Sequence, residues 1–220
     1  MPNYTPSDYD VWECENIFFL KSHPSRINKF LAHYELYKKI IKLPGHILEC
    51  GVYKGCSLMR WAHFRQTLEN NESRAIYGFD VFDSFPTEGL KSSLDKKFAR
   101  EYDDGGGIGI NEKKLDEYFK KKNFSNIHLL KGNILSTVDK FVKDKNNLKI
   151  ALLHLDVDVY EPTLHALKVF SKYMVKGGLI LIDDYATVEG ATRAVDEFCK
   201  GKSLEVKKLS YYLTPSFIQF

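Results

Sequence analysis

Two apolar runs in this chain end in acid, and that pattern restricts the fold more than any other feature. Ile150-Ala151-Leu152-Leu153 leads into His154-Leu155-Asp156-Val157-Asp158, and Gly177-Gly178-Leu179-Ile180-Leu181-Ile182 leads into Asp183-Asp184. Short apolar runs bounded by polar turns read as strands buried on both faces, as in parallel sheets. Carboxylates at the ends of such strands are costly unless a positive group sits between them. A divalent cation at the carboxyl edge of the sheet is the simplest such group, and open α/β sheets bind their ligands at that edge.

The rest of the chain supplies a matching rhythm. Strand-like segments are predicted at 46–50, 75–80 and 126–130, and an alternating closing pair at 204–209 and 216–220. Helices are predicted from Ser25 to about Lys42, from about Ser57 to Leu68, from Pro162 to the Gly177-Gly178 pair, and near Ala191–Lys200. Strand and helix alternate, which argues a mostly parallel sheet covered on both faces. Residues 1–43 read as an N-terminal arm and a helix packing on the core, with residues 1–24 irregular, and 44–220 as the main domain. A polar, glycine-rich stretch from Asp83 to about Asn111 breaks the rhythm and reads as a lid or binding loop, or else as disorder, within an insert at about 83–120.

The first strand runs into Glu49-Cys50-Gly51-Val52-Tyr53-Lys54-Gly55, ahead of a helix. Glycines there let the backbone approach a ligand, although tight helix–strand packing also explains such a pair. The spacing is not the Gly-x-Gly-x-x-Gly of dinucleotide binders, which counts against an oxidoreductase. Glu49 would repel a pyrophosphate and suits a cofactor with a cationic amino group, such as the methionine part of S-adenosylmethionine. Asp80 ends the second strand, where a carboxylate can accept ribose hydroxyls or cap a turn. Asn133 follows the third strand, where an adenine amine could be read.

Residues two apart in a strand share a face, so His154, Asp156 and Asp158 are expected to point the same way. Asp156, Asp183 and Asp184 then form an oxygen-rich site that suits magnesium, unless they serve only as helix caps. Asp158, one strand repeat farther out, is the candidate general base, and His154 reads as a hydrogen-bonded core histidine.

Composition narrows the alternatives. A net charge of +3 over 220 residues gives no electrostatic case for nucleic acid. The Lys120-Lys121-Lys122 run reads as the solvated end of a helix. No apolar run approaches the length of a membrane span, and the first residues lack the pattern of a signal peptide. The four cysteines, Cys14, Cys50, Cys56 and Cys199, form no close pair. They suit a reduced, cytoplasmic chain rather than a disulfide framework or a zinc site.

At these residues the chain resembles the macrocin O-methyltransferase family, metal-dependent sugar O-methyltransferases of antibiotic and glycan pathways. The resemblance is carried by 48–55 (LECGVYKG), 78–86 (GFDVFDSFP), 154–163 (HLDVDVYEPT), 182–185 (IDDY) and the Gly190-Ala191…Ala194-Val195-Asp196-Glu197-Phe198 segment, over about residues 44–200. It implies a class I methyltransferase fold, Rossmann-like, with a seven-stranded, mostly parallel sheet whose last strand pair is antiparallel. It implies S-adenosyl-L-methionine at Glu49, Gly51, Asp80, Ser84 and Asn133, with Val52, Gly55, Ser57 and Asp156 alongside. It further implies Mg2+ ligands at Asp156, Asp183 and Asp184, a base at Asp158, and a homo-dimer or higher homo-oligomer. Two other readings stay open: a catechol-type methyltransferase, and a non-catalytic adenosyl-binding module.

Overall fold

A computed structural model describes residues 11–220; the first ten residues of the expected arm lie outside it. Seven strands form one sheet: β1 (His46–Cys50), β2 (Ile76–Asp80), β3 (Ile127–Lys131), β4 (Ile150–Leu155), β5 (Met174–Ile182), β6 (Lys207–Leu209) and β7 (Tyr212–Gln219). Their order is β3-β2-β1-β4-β5-β7-β6. β1 to β5 pair in parallel, and β7 runs antiparallel to both β5 and β6. This is the class I methyltransferase architecture that the strand pattern and the resemblance imply.

Eight helices accompany these strands among the described residues. They are α1 (Val11–Lys21), α2 (Pro24–Ile40), α3 (Cys56–Leu68), α4 (Ser93–Asp104), α5 (Glu112–Lys121), α6 (Ile134–Asp144), α7 (Tyr160–Phe170) and α8 (Glu189–Cys199). Two apolar cores lie on the two faces of the sheet. One gathers Leu48, Phe79 and Leu153 with Phe141 of α6, Phe170 of α7 and Phe198 of α8. The other gathers Ile47, Ile76 and Leu152 with Leu36 and Tyr37 of α2, Trp61 of α3 and Phe119 of α5. Strand residues alternate between these cores, so each central strand reads as a continuous apolar run.

Four local expectations are corrected. Residues 11–21, expected to be irregular, form a helix whose side chains all stay outside the core. His23 rather than Ser25 caps α2; its Nδ1 accepts from the Ser25 N–H at 3.2 Å, and Pro24 takes the first position. Gly177-Gly178 does not end a helix. α7 stops at Phe170, a short 3-10 turn follows, and β5 begins at Met174 and runs through the glycines. The stretch expected as lid or disorder contains α4, with α5 directly after it.

Arg74 fixes α2 to the sheet. Its Nη2 donates to the carbonyls of Ile40, Ile41 and Leu43, each at 3.2 Å, closing the C-terminus of α2. The same guanidinium grips Glu69 at 2.8 Å, and Tyr37 Oη donates to Glu69 at 2.5 Å. Side-chain exposures of 3% and 7% make the Arg74–Glu69 pair a buried one. Removing one partner of such a pair strands the other charge. Arg74→Met is therefore expected to lower unfolding free energy by about 3–5 kcal/mol in urea titration. Adding Glu69→Gln should recover part of that loss.

Candidate active site

The strand order reverses between β1 and β4, and the loops after these strands part to form a cleft. The cleft is open to solvent and is lined by Gly51, Tyr53, Asp80, Asp83, Asn133, Asp156 and Asp158, with Tyr102 from α4. Gly51 sits at φ +88°, and a Cβ there would lie 1.8 Å from the Asp156 carbonyl oxygen. Only glycine lets the β1 loop pass this close to the end of β4.

Asp156, Asp158 and Asp184 bring carboxylate oxygens within 4.8 Å of one another. Asp158 holds a left-handed φ of +60°, unusual outside glycine, and its N–H donates to Asp184 Oδ2 at 3.2 Å. Burial, then their neighbouring carboxylates, push Asp156 and Asp184 well above the usual carboxylate range. Burial, then Asp156, push Asp158 up to about 7. A group of acids that resists ionising together fits a hard cation with oxygen ligands.

Asp183 faces elsewhere. Its Oδ2 accepts from Lys29 Nζ of α2 at 2.6 Å, and its Oδ1 lies 3.7 Å from His154 Nε2 without a hydrogen bond. Despite burial, His154 and Lys29 hold its carboxyl below the usual range. The compact group thus contains Asp158 where the sequence placed Asp183. Asp183 instead joins a second one, with His154 and the buried His33 of α2.

Glu49, expected to face a cationic cofactor, is not among the residues that line the cleft. β1 alternates, so Glu49 points to the α3 side with Ile47. There it is fully buried and accepts from Ser57 Oγ at 2.9 Å and Trp61 Nε1 at 2.6 Å, and its Oε2 lies 3.0 Å from His154 Nδ1. Ser57 is taken up in the same contact. His154 is fully buried; burial opposes its charge, but Asp183 and Glu49 raise its pKa to about 10.

Asp80 lines the cleft while organising its rim: Oδ2 accepts from the N–H groups of Val52 and Tyr53, at 2.7 and 2.9 Å, and Oδ1 from that of Phe82 at 2.7 Å. A carboxylate has about four acceptor positions, so one remains for a hydroxyl. Asn133 caps α6 through Leu135 N–H at 3.0 Å and donates to the Glu88 carbonyl of the lid at 3.1 Å. Its side chain lines the cleft and keeps one amide N–H and one acceptor position beyond these two bonds. Gly55 caps α3 with φ +80°, and Ser84 is a rim residue whose N–H donates to Asp83.

The segment carrying α4 packs against the start of α7. Asp95 of α4 accepts from the Tyr160 N–H at 3.1 Å, and Glu161 accepts from the Lys91 N–H at 2.9 Å. Tyr102 meets Tyr53 across the cleft mouth, ring centroids 5.5 Å apart. Sequence reasoning missed Tyr53, Asp83 and Tyr102 as lining residues, and Lys29 and His33 altogether. The last two sit on a helix whose period marks only its apolar stripe.

Sheet order and cleft together define a class I methyltransferase fold. The chain belongs to the macrocin O-methyltransferase (TylF) family, whose profile matches residues 26–209. It is 24% identical over 159 residues to the 8-demethyl-8-(2,3-dimethoxy-alpha-L-rhamnosyl)-tetracenomycin-C 4'-O-methyltransferase of Streptomyces olivaceus, covering 71% of this chain and 58% of that protein. The fold is shared with the O-methyltransferase NovP at a TM-score of 0.76 and 20% identity, covering 88% of this chain and 79% of that one. It is also shared with the calicheamicin methyltransferase CalS11, at a TM-score of 0.72 and 22% identity, over 97% and 87%.

The acids set a pH dependence. Asp156, Asp158 and Asp184 have folded pKa values above their unfolded ones, so their contribution is most favourable below the unfolded pKa and is lost as pH rises through the folded one. In a chelating buffer the melting temperature is expected to fall from pH 5 to pH 8, with Asp158 titrating near pH 7. Asp158→Asn should flatten that fall in a thermal-shift series.

Proposed function

We propose that the chain is an S-adenosylmethionine- and Mg2+-dependent O-methyltransferase acting on a hydroxyl of a sugar or glycosylated small molecule. The observation that carries this reading is the group Asp156, Asp158 and Asp184, of which Asp156 and Asp158 line the cleft where the strand order reverses. A non-catalytic adenosyl-binding module has no use for three mutually repelling carboxylates. Family membership and the relative's rhamnosyl acceptor support a sugar substrate.

Asp156 and Asp184 would hold the cation, with Asp158 beside them and Asp183 within reach of the same strand end. When bound, the cofactor supplies an electrophilic methyl group on sulfonium, and the metal acidifies a substrate hydroxyl. Asp158 Oδ would take the proton from that hydroxyl. Asp80 offers an acceptor to a ribose hydroxyl, Gly51 leaves room for a ligand against the backbone, and Tyr102 with Tyr53 narrows the mouth against water. Holding donor and acceptor in register provides much of the rate.

A catechol-type acceptor is the second reading, because Phe85, Leu90 and Tyr102 give part of the cleft an aromatic and apolar wall. All four cysteines are unpaired, which suits the reducing cytoplasm. Among the described residues no helix is long and apolar enough to cross a membrane. A homo-dimer or larger assembly belongs to the same proposal and is measured by light scattering.

The test is turnover with labelled cofactor over glycosides and catechols, with and without chelator. Glycoside methylation that stops in chelator is expected; preference for catechols would install the second reading, and full activity in chelator would remove the metal. Asp158→Asn should lower kcat by about 10²–10⁴-fold, the usual share of a general base, with Mg2+ still bound in calorimetry. Asp156→Asn should weaken Mg2+ binding and leave S-adenosylmethionine binding near wild type.

A further inference from the structure

One basic side chain reaches into the acidic edge from outside the sheet. Lys29 lies in the N-terminal half of α2, and its ammonium sits 2.6 Å from Asp183 Oδ2 with only 16% of the side chain exposed. Opposing pulls act on it: burial disfavours its charge, while Asp156 and then Asp183 favour it, and the net effect is a raised pKa. Lys29 is thus a monovalent cation placed among carboxylates that suit a divalent one.

Lys29 also divides the ligands. Asp183 is adjacent in sequence to Asp184, yet the close group contains Asp156, Asp158 and Asp184 without it. Asp183 spends one oxygen on Lys29 and leaves the other, buried, without a hydrogen bond. A buried acceptor left without a partner is an uncommon state. With Lys29 in place, a cation would have to draw on Asp158; with Lys29 withdrawn, Asp183 becomes available and Asp158 is left free to take a proton.

We propose that Lys29 is a tethered counter-ion which a divalent cation displaces from Asp183, so that metal binding frees this carboxylate and detaches one point of α2 from the active-site edge. This rests on the metal-dependent reading above. A lysine suits the task because its ammonium is a point charge on a flexible four-carbon stem, and a short swing carries it to solvent. Mg2+ brings twice the charge and keeps waters that a substrate can replace. His154, which is bound to Glu49, lies on the other side of Asp183 with its Nε2 3.7 Å from Oδ1, so a basic neighbour stays beside Asp183 when Lys29 leaves.

The experiment uses the full chain and Mg2+ or Mn2+ alone. Lysine acetylation of the wild type, followed by mass spectrometry, is expected to modify Lys29 severalfold faster with saturating Mg2+ than in chelator, with exposed Lys97 unchanged as reference. Lys29→Met, which keeps the stem and removes the charge, is expected to bind Mg2+ about tenfold more tightly in calorimetry and to melt lower than wild type in chelator. Lys29 reactivity that is unchanged or reduced by metal would overturn displacement, even if Lys29→Met does not fold. Equal or weaker metal binding by a folded Lys29→Met would overturn it too. In both cases the metal site would survive. Absence of any metal binding by the wild type would remove the metal reading itself, and this proposal with it.

Discussion

Negative charge delivered to the ends of buried parallel strands is the constraint that the rest of this molecule answers. β4 and β5 are covered on both faces, so their terminal carboxylates enter a partly desolvated space from which they cannot move. The chain answers with an alternating line of charge: Lys29 on Asp183, Asp183 beside His154, and His154 on Glu49. Each member lies on a different element, α2, the end of β5, β4 and β1. Favourable alternation here also ties a peripheral helix to three strands. That line accounts for Asp183 and leaves Asp156, Asp158 and Asp184 without a basic partner of comparable closeness among the described residues. The shortfall in positive charge lies in the cleft, where a ligand cation can reach it.

The line of charge explains how the two faces of the sheet divide their work. Glu49 and His154 are neighbours in register and point to the α2–α3 side, where Trp61 donates to Glu49 and His33 stacks on Trp61 at 4.5 Å. That face is buried and aromatic; Glu49 is satisfied there, while both ring nitrogens of His33 lack a hydrogen-bond partner. Past the strand ends, Gly51 and Asp156 come so close that only bare backbone fits between them. The cleft opens at that edge, and the Glu49–His154 pair lies deeper, within the strands.

Much of this was legible in the sequence, and the misreadings share a cause. The inner parallel strands β1, β2, β4 and β5 are legible because burial writes them largely as apolar runs, the partly exposed edge strand β3 less so, and the terminal acids are legible as additions to those runs. β5 was truncated because Gly177 and Gly178 look like a helix end; the strand passes through them, with an irregular register against β4. α4 escaped because its buried contacts, Asp95 and Ala99, make no apolar stripe, and α6 escaped although Ile134, Val138 and Phe141 have helical spacing. Glu49 shows a subtler limit. Its position beside a glycine loop was read as a ligand contact, while strand alternation had already turned it to the other face. A sequence pattern reports which edge a residue lies near more reliably than which neighbour it chooses.

The α4 segment follows the same logic. Asp95 accepts the Tyr160 N–H at the start of α7, and Gly190 at the start of α8 packs so tightly there that a Cβ would meet Asp95 Oδ1 at 2.6 Å. Burial raises the Asp95 pKa, and this bond to α7 is the largest influence opposing the rise. α7 begins directly after Asp156–Asp158, and the Ala191 N–H of α8 donates to the Asp158 carbonyl at 3.1 Å. The anchor of the lid and the backbone of the candidate base are therefore held by the same two helix starts. Tyr102 of α4 reaches the mouth of the cleft in the same arrangement that holds Asp158 in its left-handed conformation.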